Sequence, residues 1–127
     1  MSEAAKSQQV MTVATLLEMY AAGKRNFSNA NLGNAKLQGE NLKGVDFSYA
    51  DLSQADLSRA NLRGADLSYA DLSQANLIGA DLRGSLLLGA NLRQAKLQDA
   101  KLTEADCDRN THFPDNFDAV RVGMTQQ

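Results

Sequence analysis

Alanine and leucine recur in this chain with a period of five residues, and that period excludes both common secondary structures. An α-helix repeats about every 3.6 residues and an extended strand about every 2, so neither holds a five-residue pattern in register over a long stretch. Pentads counted from Arg25 run without a slip to Arg109, seventeen in all. Their third residue is Leu in fourteen, with Phe27, Phe47 and Cys107 as exceptions, and their first is Ala in thirteen. A period held this long marks a repeat architecture in which the backbone turns at fixed intervals.

Within a pentad the first and third residues lie two apart, so in extended backbone they share a face and the second points outward. That second residue is Asp or Asn in thirteen pentads, while the fourth and fifth are mostly Ser, Gly, Gln, Arg and Tyr, suited to corners. Short strands joined by regular corners build a solenoid around a thin core of Leu and Ala. The variable corner positions test how many sides close one coil. Of eight such sites from Ser48 to Gly64, six are identical twenty residues later: Ser48 and Ser68, Tyr49 and Tyr69, Ser53 and Ser73, Gln54 and Gln74, Arg63 and Arg83, Gly64 and Gly84. Shifts of 5, 10 or 15 match at most three sites, which favours four sides per coil.

The motif resembles that of the pentapeptide repeat family, A(D/N)LXX, over residues 25–109. The resemblance implies an all-β solenoid, a right-handed quadrilateral parallel β-helix of about four coils. The lead-in LLEMYAAGKRNFSNANL, residues 16–32, is similar to the start of short cyanobacterial members.

The rest of the chain is organised around this rod. Residues 1–11 read as a flexible N-terminus, 12–24 as a capping helix, 25–109 as the repeat and 110–127 as a C-terminal cap and tail. Val13, Leu16, Leu17 and Tyr20 fall on one helical face, with Thr12 placed to cap the start and Gly23 to terminate the end. Phe113, Pro114, Phe117 and Val120 suit a segment that covers the last coil, or one that meets a second copy there. At 127 residues, with one Cys and a formal charge of −2, the chain fits one small domain with no internal disulfide, and a reducing, cytoplasmic setting is expected. No membrane association and no direct nucleic-acid binding are expected, since there is no long apolar run and no basic excess.

Catalysis needs polar groups converging in a concave pocket, and a filled rod offers none. No nucleophile with a base and no phosphate-binding glycine loop appears, so neither enzymatic activity nor a cofactor is expected. His112 is the only histidine and has no nearby partner for a metal site.

The departures from the repeat are therefore the informative positions. Leu86 stands at an outward second position and Leu88 at a fourth, which makes GSLLLGA the best candidate for a contact patch, whether with a partner protein or with this chain's own tail. Ile78 lies two pentads earlier and so on the opposite side. Lys43, Arg63 and Arg83 share one corner in successive coils, about 4.8 Å apart, as a basic strip able to meet an acidic protein face. Glu40 takes an inward first position, where a carboxylate requires a distorted first coil that lets it reach water or the N-terminal cap. Cys107, below Phe27, Phe47, Leu67 and Leu87 on one side, reads as a buried structural thiol.

The expected function is a non-catalytic scaffold for protein–protein interaction with an unidentified protein partner, with self-association through a coil end as a further contact. The alternative that the family resemblance suggests is a DNA mimic that binds DNA gyrase or topoisomerase. Against it, residues 25–109 are nearly neutral, and a DNA mimic needs a sustained anionic face.

Overall fold

The computed structural model describes residues 10–127. Parallel bridges join residues twenty positions apart: Asn26, Asp46, Asp66, Leu86 and Asp106 form one column, and Asn41, Asn61, Asp81 and Lys101 another. Each coil thus has four sides of one pentad. We call the first side the one built from the pentads at 25, 45, 65, 85 and 105, and number the others in chain order.

Each pentad closes its own corner. The amide of each first residue donates to the carbonyl of the preceding third residue, as from Ala50 to Phe47 at 3.0 Å, and the fifth residue has a positive φ in every pentad from Asn29 to Glu104. A turn of this kind with positive φ at its third residue has the type II signature, which favours Gly and tolerates Asn. The outward Asp explains the Ser two residues on: Asp46 Oδ1 accepts from the Ser48 amide at 2.9 Å and from its hydroxyl at 2.6 Å. The same pairing recurs at Asp51 with Ser53, Asp56 with Ser58 and Asp71 with Ser73.

Inside, the third-position Leu side chains from Leu32 to Leu92 and the first-position Ala residues from Ala50 to Ala90 are buried in one continuous cluster. Ser85 replaces one of those Ala residues, is fully buried, and its hydroxyl has no hydrogen-bond partner among the described residues. Glu40 is accommodated without the expected distortion. Its carbonyl accepts from the Asn61 amide at 2.9 Å and the ladder continues from Leu42 to Asn61 at 2.8 Å, while the side chain sits only half-buried near the end of the stack and keeps access to water.

Helix α1, Val13–Ala21, begins at Thr12, whose hydroxyl accepts from the Thr15 amide at 3.1 Å, and ends at Ala22 before Gly23 with φ of 100°. It buries Leu16 completely in the core and sends the Tyr20 hydroxyl to the Lys43 carbonyl at 2.7 Å. The expected flexible segment through residue 11 is corrected in part. Val10 bridges Asn31, and the Met11 amide donates to Asn31 at 2.9 Å, so the chain joins the ladder before the helix begins. Residues 1–9 of that segment lie outside the described residues.

The winding also outlasts the pentads. His112 bridges Asn91, twenty-one residues back, and strand β2, Thr125–Gln126, pairs in parallel with strand β1, Asp106–Cys107, nineteen residues back. Between them the Glu104 amide donates to Gly123 at 2.9 Å. Residues 110–127 therefore lay an irregular further turn on the last regular coil, one residue behind the frame of twenty at His112 and one ahead of it at Thr125.

Candidate interaction surfaces

Because each corner repeats every twenty residues, the rod carries four columns of side chains, and each has its own chemistry. Between the first and second sides, Tyr49 and Tyr69 stack with ring centroids 5.2 Å apart and planes 12° from parallel. Tyr69 in turn lies over Gly89. Between the second and third sides, Gln54, Gln74 and Gln94 form an amide ladder with bonds of 2.8 and 3.0 Å. Between the third and fourth, Arg59 drapes its aliphatic stem over Gly79. The fourth corner is bare backbone: Gly44, Gly64 and Gly84 have nothing within 4 Å of where a Cβ would stand.

Lys43, Arg63 and Arg83 stand beside that bare corner. The Gly44 amide donates to the Arg63 carbonyl and the Gly64 amide to the Arg83 carbonyl, which fixes the three residues in adjacent coils as expected. They are not equivalent. Arg83 makes a two-pronged contact with Asp81, Nε to Oδ1 at 2.8 Å and a terminal nitrogen to Oδ2 at 2.7 Å. The hydrogen bond from Arg83 holds the Asp81 carboxyl down to about 2 and pushes the guanidinium pKa further up. Lys43 and Arg63 are exposed, and no carboxylate pairs with either among the described residues. A groove of about 380 Å³ lies beside Arg63, Arg83, Gly84, Thr103 and Glu104.

Leu86 and Leu88 are half-buried on the first side, and residues 110–127 do not make a ladder bond to either. Leu86 sits between the Asp66 and Asp106 rungs, and the Leu88 carbonyl accepts from the Tyr69 amide at 2.8 Å. Leu88 therefore shares its corner with the exposed tyrosine stack, a neighbour the sequence reading did not connect to it. The twenty-residue frame contained the signal, since Tyr69 and Gly89 occupy the same corner.

Sorting charges by side shows a second missed feature. Over residues 25–109 the first and second sides carry six acidic and three basic residues, and the third and fourth carry five acidic and seven basic. Near neutrality of the whole conceals this asymmetry. Asp46, Asp51, Asp66 and Asp71, flanking the tyrosines, have no cationic partner among the described residues.

The rod is not without concavity, contrary to the expectation from a filled interior. A surface cleft of about 780 Å³ opens where the C-terminal segment leaves the stack, lined among others by Arg93, His112, Phe113 and Asp115, with Arg93 3.2 Å from His112 Nδ1. Cys107 is buried, and its thiol pKa is pushed up by that burial and by Asp108 and Asp106. Among the described residues no helix is long and apolar enough to cross a membrane, and no cluster of His, Cys, Asp and Glu forms a metal site.

The sequence matches pentapeptide repeats in eight copies, over residues 26–64 and 70–106. The structure is similar to that of alr5209, a pentapeptide repeat protein from Nostoc Pcc 7120, with 64% sequence identity and a TM-score of 0.92 over 94% of this chain and 99% of that one. It is also similar to Rfr23, a pentapeptide repeat protein from the cyanobacterium Cyanothece 51142, at 39% identity and a TM-score of 0.68, over 69% of this chain and 60% of that one. No curated protein matches the sequence.

Proposed function

Because the chain belongs to the pentapeptide repeat family, we propose that it is a non-catalytic scaffold that binds another protein through the outer columns of a rigid rod. In this reading the rod is a right-handed quadrilateral β-helix of about four regular coils. Helix α1 closes one end and residues 110–127 the other, and the protein works in the cytoplasm. Leu86 and Leu88 are the primary contacts, with Lys43, Arg63 and Arg83 on the adjoining fourth side as a second face for an acidic surface. The observation that carries the reading is the break at Leu86 and Leu88 in columns otherwise built from Asn, Asp and Ser. Apolar groups placed where the repeat requires polar ones, and not needed by the core, are best accounted for by a partner.

The test follows from the repeat itself. Leu86→Asp with Leu88→Ser restores the residues found at 46–48 and 66–68, so the coil keeps its turn and its core. The variant is expected to melt within about 4 °C of the parent, equivalent to under about 1 kcal/mol. It is also expected to lose the protein that the parent captures from a lysate of the source cells. Capture unchanged in this variant and in Arg63→Glu would contradict the scaffold reading. The gyrase-binding reading draws on the carboxylate rows of the first two sides alone, and unchanged supercoiling at high protein excess removes it.

A further inference from the structure

The geometry points to the corner of Tyr49 and Tyr69 as a docking site for a basic protein segment that carries arginine beside apolar residues. This inference rests on the scaffold reading and specifies its partner. Tyr49 and Tyr69 are 60% and 50% exposed, and neither hydroxyl is hydrogen-bonded among the described residues. Two parallel aromatic faces left in water at a corner position that elsewhere takes Gly or a polar residue serve no need of the core. Their position is nonetheless rigid. The Tyr49 amide is fixed to Ser68 and the Tyr69 amide to Leu88, and the lower ring rests on Gly89, the one residue that leaves it room.

Carboxylates border the stack on both edges. Asp46 and Asp66 lie in one column before the corner and Asp51 and Asp71 in one column after it, each with Oδ1 engaged by its own turn. Their Oδ2 atoms make no bond among the described residues and are free to accept from an incoming cation. No Lys or Arg occurs in residues 45–54 or 65–74, so no cation on the first two sides of these coils competes. Below the stack, Leu88 and Leu86 continue the surface as an apolar floor.

Planar aromatic faces between carboxylates select a guanidinium over an ammonium. It stacks flat on the ring and donates sideways in a fork to carboxylate, whereas an ammonium is a compact point charge. The apolar floor asks for an aliphatic side chain next to that arginine. Duplex nucleic acid is repelled by the same carboxylates, so the partner is a protein segment of positive charge.

The test titrates the intact protein with a short amidated peptide repeating Arg, Leu and Gly, and follows the tyrosine ring and Leu methyl resonances. Two of the three tyrosines are at the site, and Tyr20 on helix α1 serves as an internal control. The expected result is saturable shifts at Tyr49, Tyr69 and Leu88 and none at Tyr20. Exchanging Arg for Lys is expected to weaken binding about threefold, and Tyr69→Ala or the pair Asp66→Asn with Asp71→Asn about fivefold. A peptide with Glu for Arg is expected not to bind. Absence of saturation at Tyr49 and Tyr69, equal binding of the Glu peptide, or indifference to Asp66→Asn with Asp71→Asn each overturns the proposal. A captured partner together with a silent titration would leave the scaffold reading standing and remove this site. A saturating titration with no captured partner would do the reverse.

Discussion

The ring of Tyr69 lies over Gly89 one coil on, its Cδ1 and Cε1 occupying the space where any larger residue at 89 would place its Cβ. Gly89 also has a φ of 66°, so it meets two requirements at once: a left-handed corner and a seat for the tyrosine above it. Gly89→Ala should cost about 1–2 kcal/mol, part from the backbone and part from displacing the ring. In the Tyr69→Ala background only the backbone part should remain. A double-mutant cycle by urea unfolding checks this, and strictly additive effects would show that ring and glycine are not coupled.

Ser85 stands where the repeat places Ala, fully buried and with its hydroxyl unpartnered among the described residues. A buried hydroxyl without a hydrogen bond is a net loss, and its removal leaves a residue of nearly the same shape. Ser85→Ala is expected to stabilise the rod by about 1 kcal/mol. A lower melting temperature in the variant would show that the hydroxyl is engaged.

Asp81 and Arg83 give the rod a pH-dependent term. Since the folded state holds the Asp81 carboxyl down to about 2 from 3.8, its contribution is complete above pH 4 and is lost as pH falls toward 2. Arg83→Gln should therefore be less stable than the parent at neutral pH, with the gap closing between pH 4 and pH 2. Denaturant unfolding at a series of pH values measures it. A gap that stays constant across that range would assign the loss to packing of the Arg83 side chain.

Cys107 offers a direct readout of cooperativity. It is about 1% exposed beneath β2, and its thiol is held protonated by burial and by the two neighbouring carboxylates. Alkylation of the native protein should proceed only when the last coil opens. Its rate should rise with denaturant in parallel with global unfolding, because neighbouring coils supply each other's ladder bonds. Labelling that is fast in the absence of denaturant would show that the C-terminal turn opens independently.

The sequence was most informative where one constraint repeats. Leu at the third position and the recurrence of Tyr49 and Gln54 as Tyr69 and Gln74 were enough to read the square coil, and Thr12 and Gly23 bounded the helix. The final turn escaped because His112 and Gln126 fall one residue off the twenty-residue frame, in opposite directions, and a fixed period cannot follow a register that changes sign. Glu40 needs no distorted coil to reach water, because the end of a stack lets a long side chain extend outward while its backbone keeps the ladder. At the surface, Leu86 and Leu88 stood out as departures from the repeat. The tyrosines beside them did not, because they obey it, and the charge asymmetry was lost in a total.

The most direct measurement of the central claim, that this rod acts by binding a protein on its outer columns, is hydrogen exchange and side-chain NMR of the intact chain with and without its captured partner. The account predicts that the ladder amides keep their free-state protection and that new shifts cluster at Tyr49, Tyr69, Leu86 and Leu88. Changes spread through the core amides, or confined to the cleft at Arg93 and His112, would contradict it.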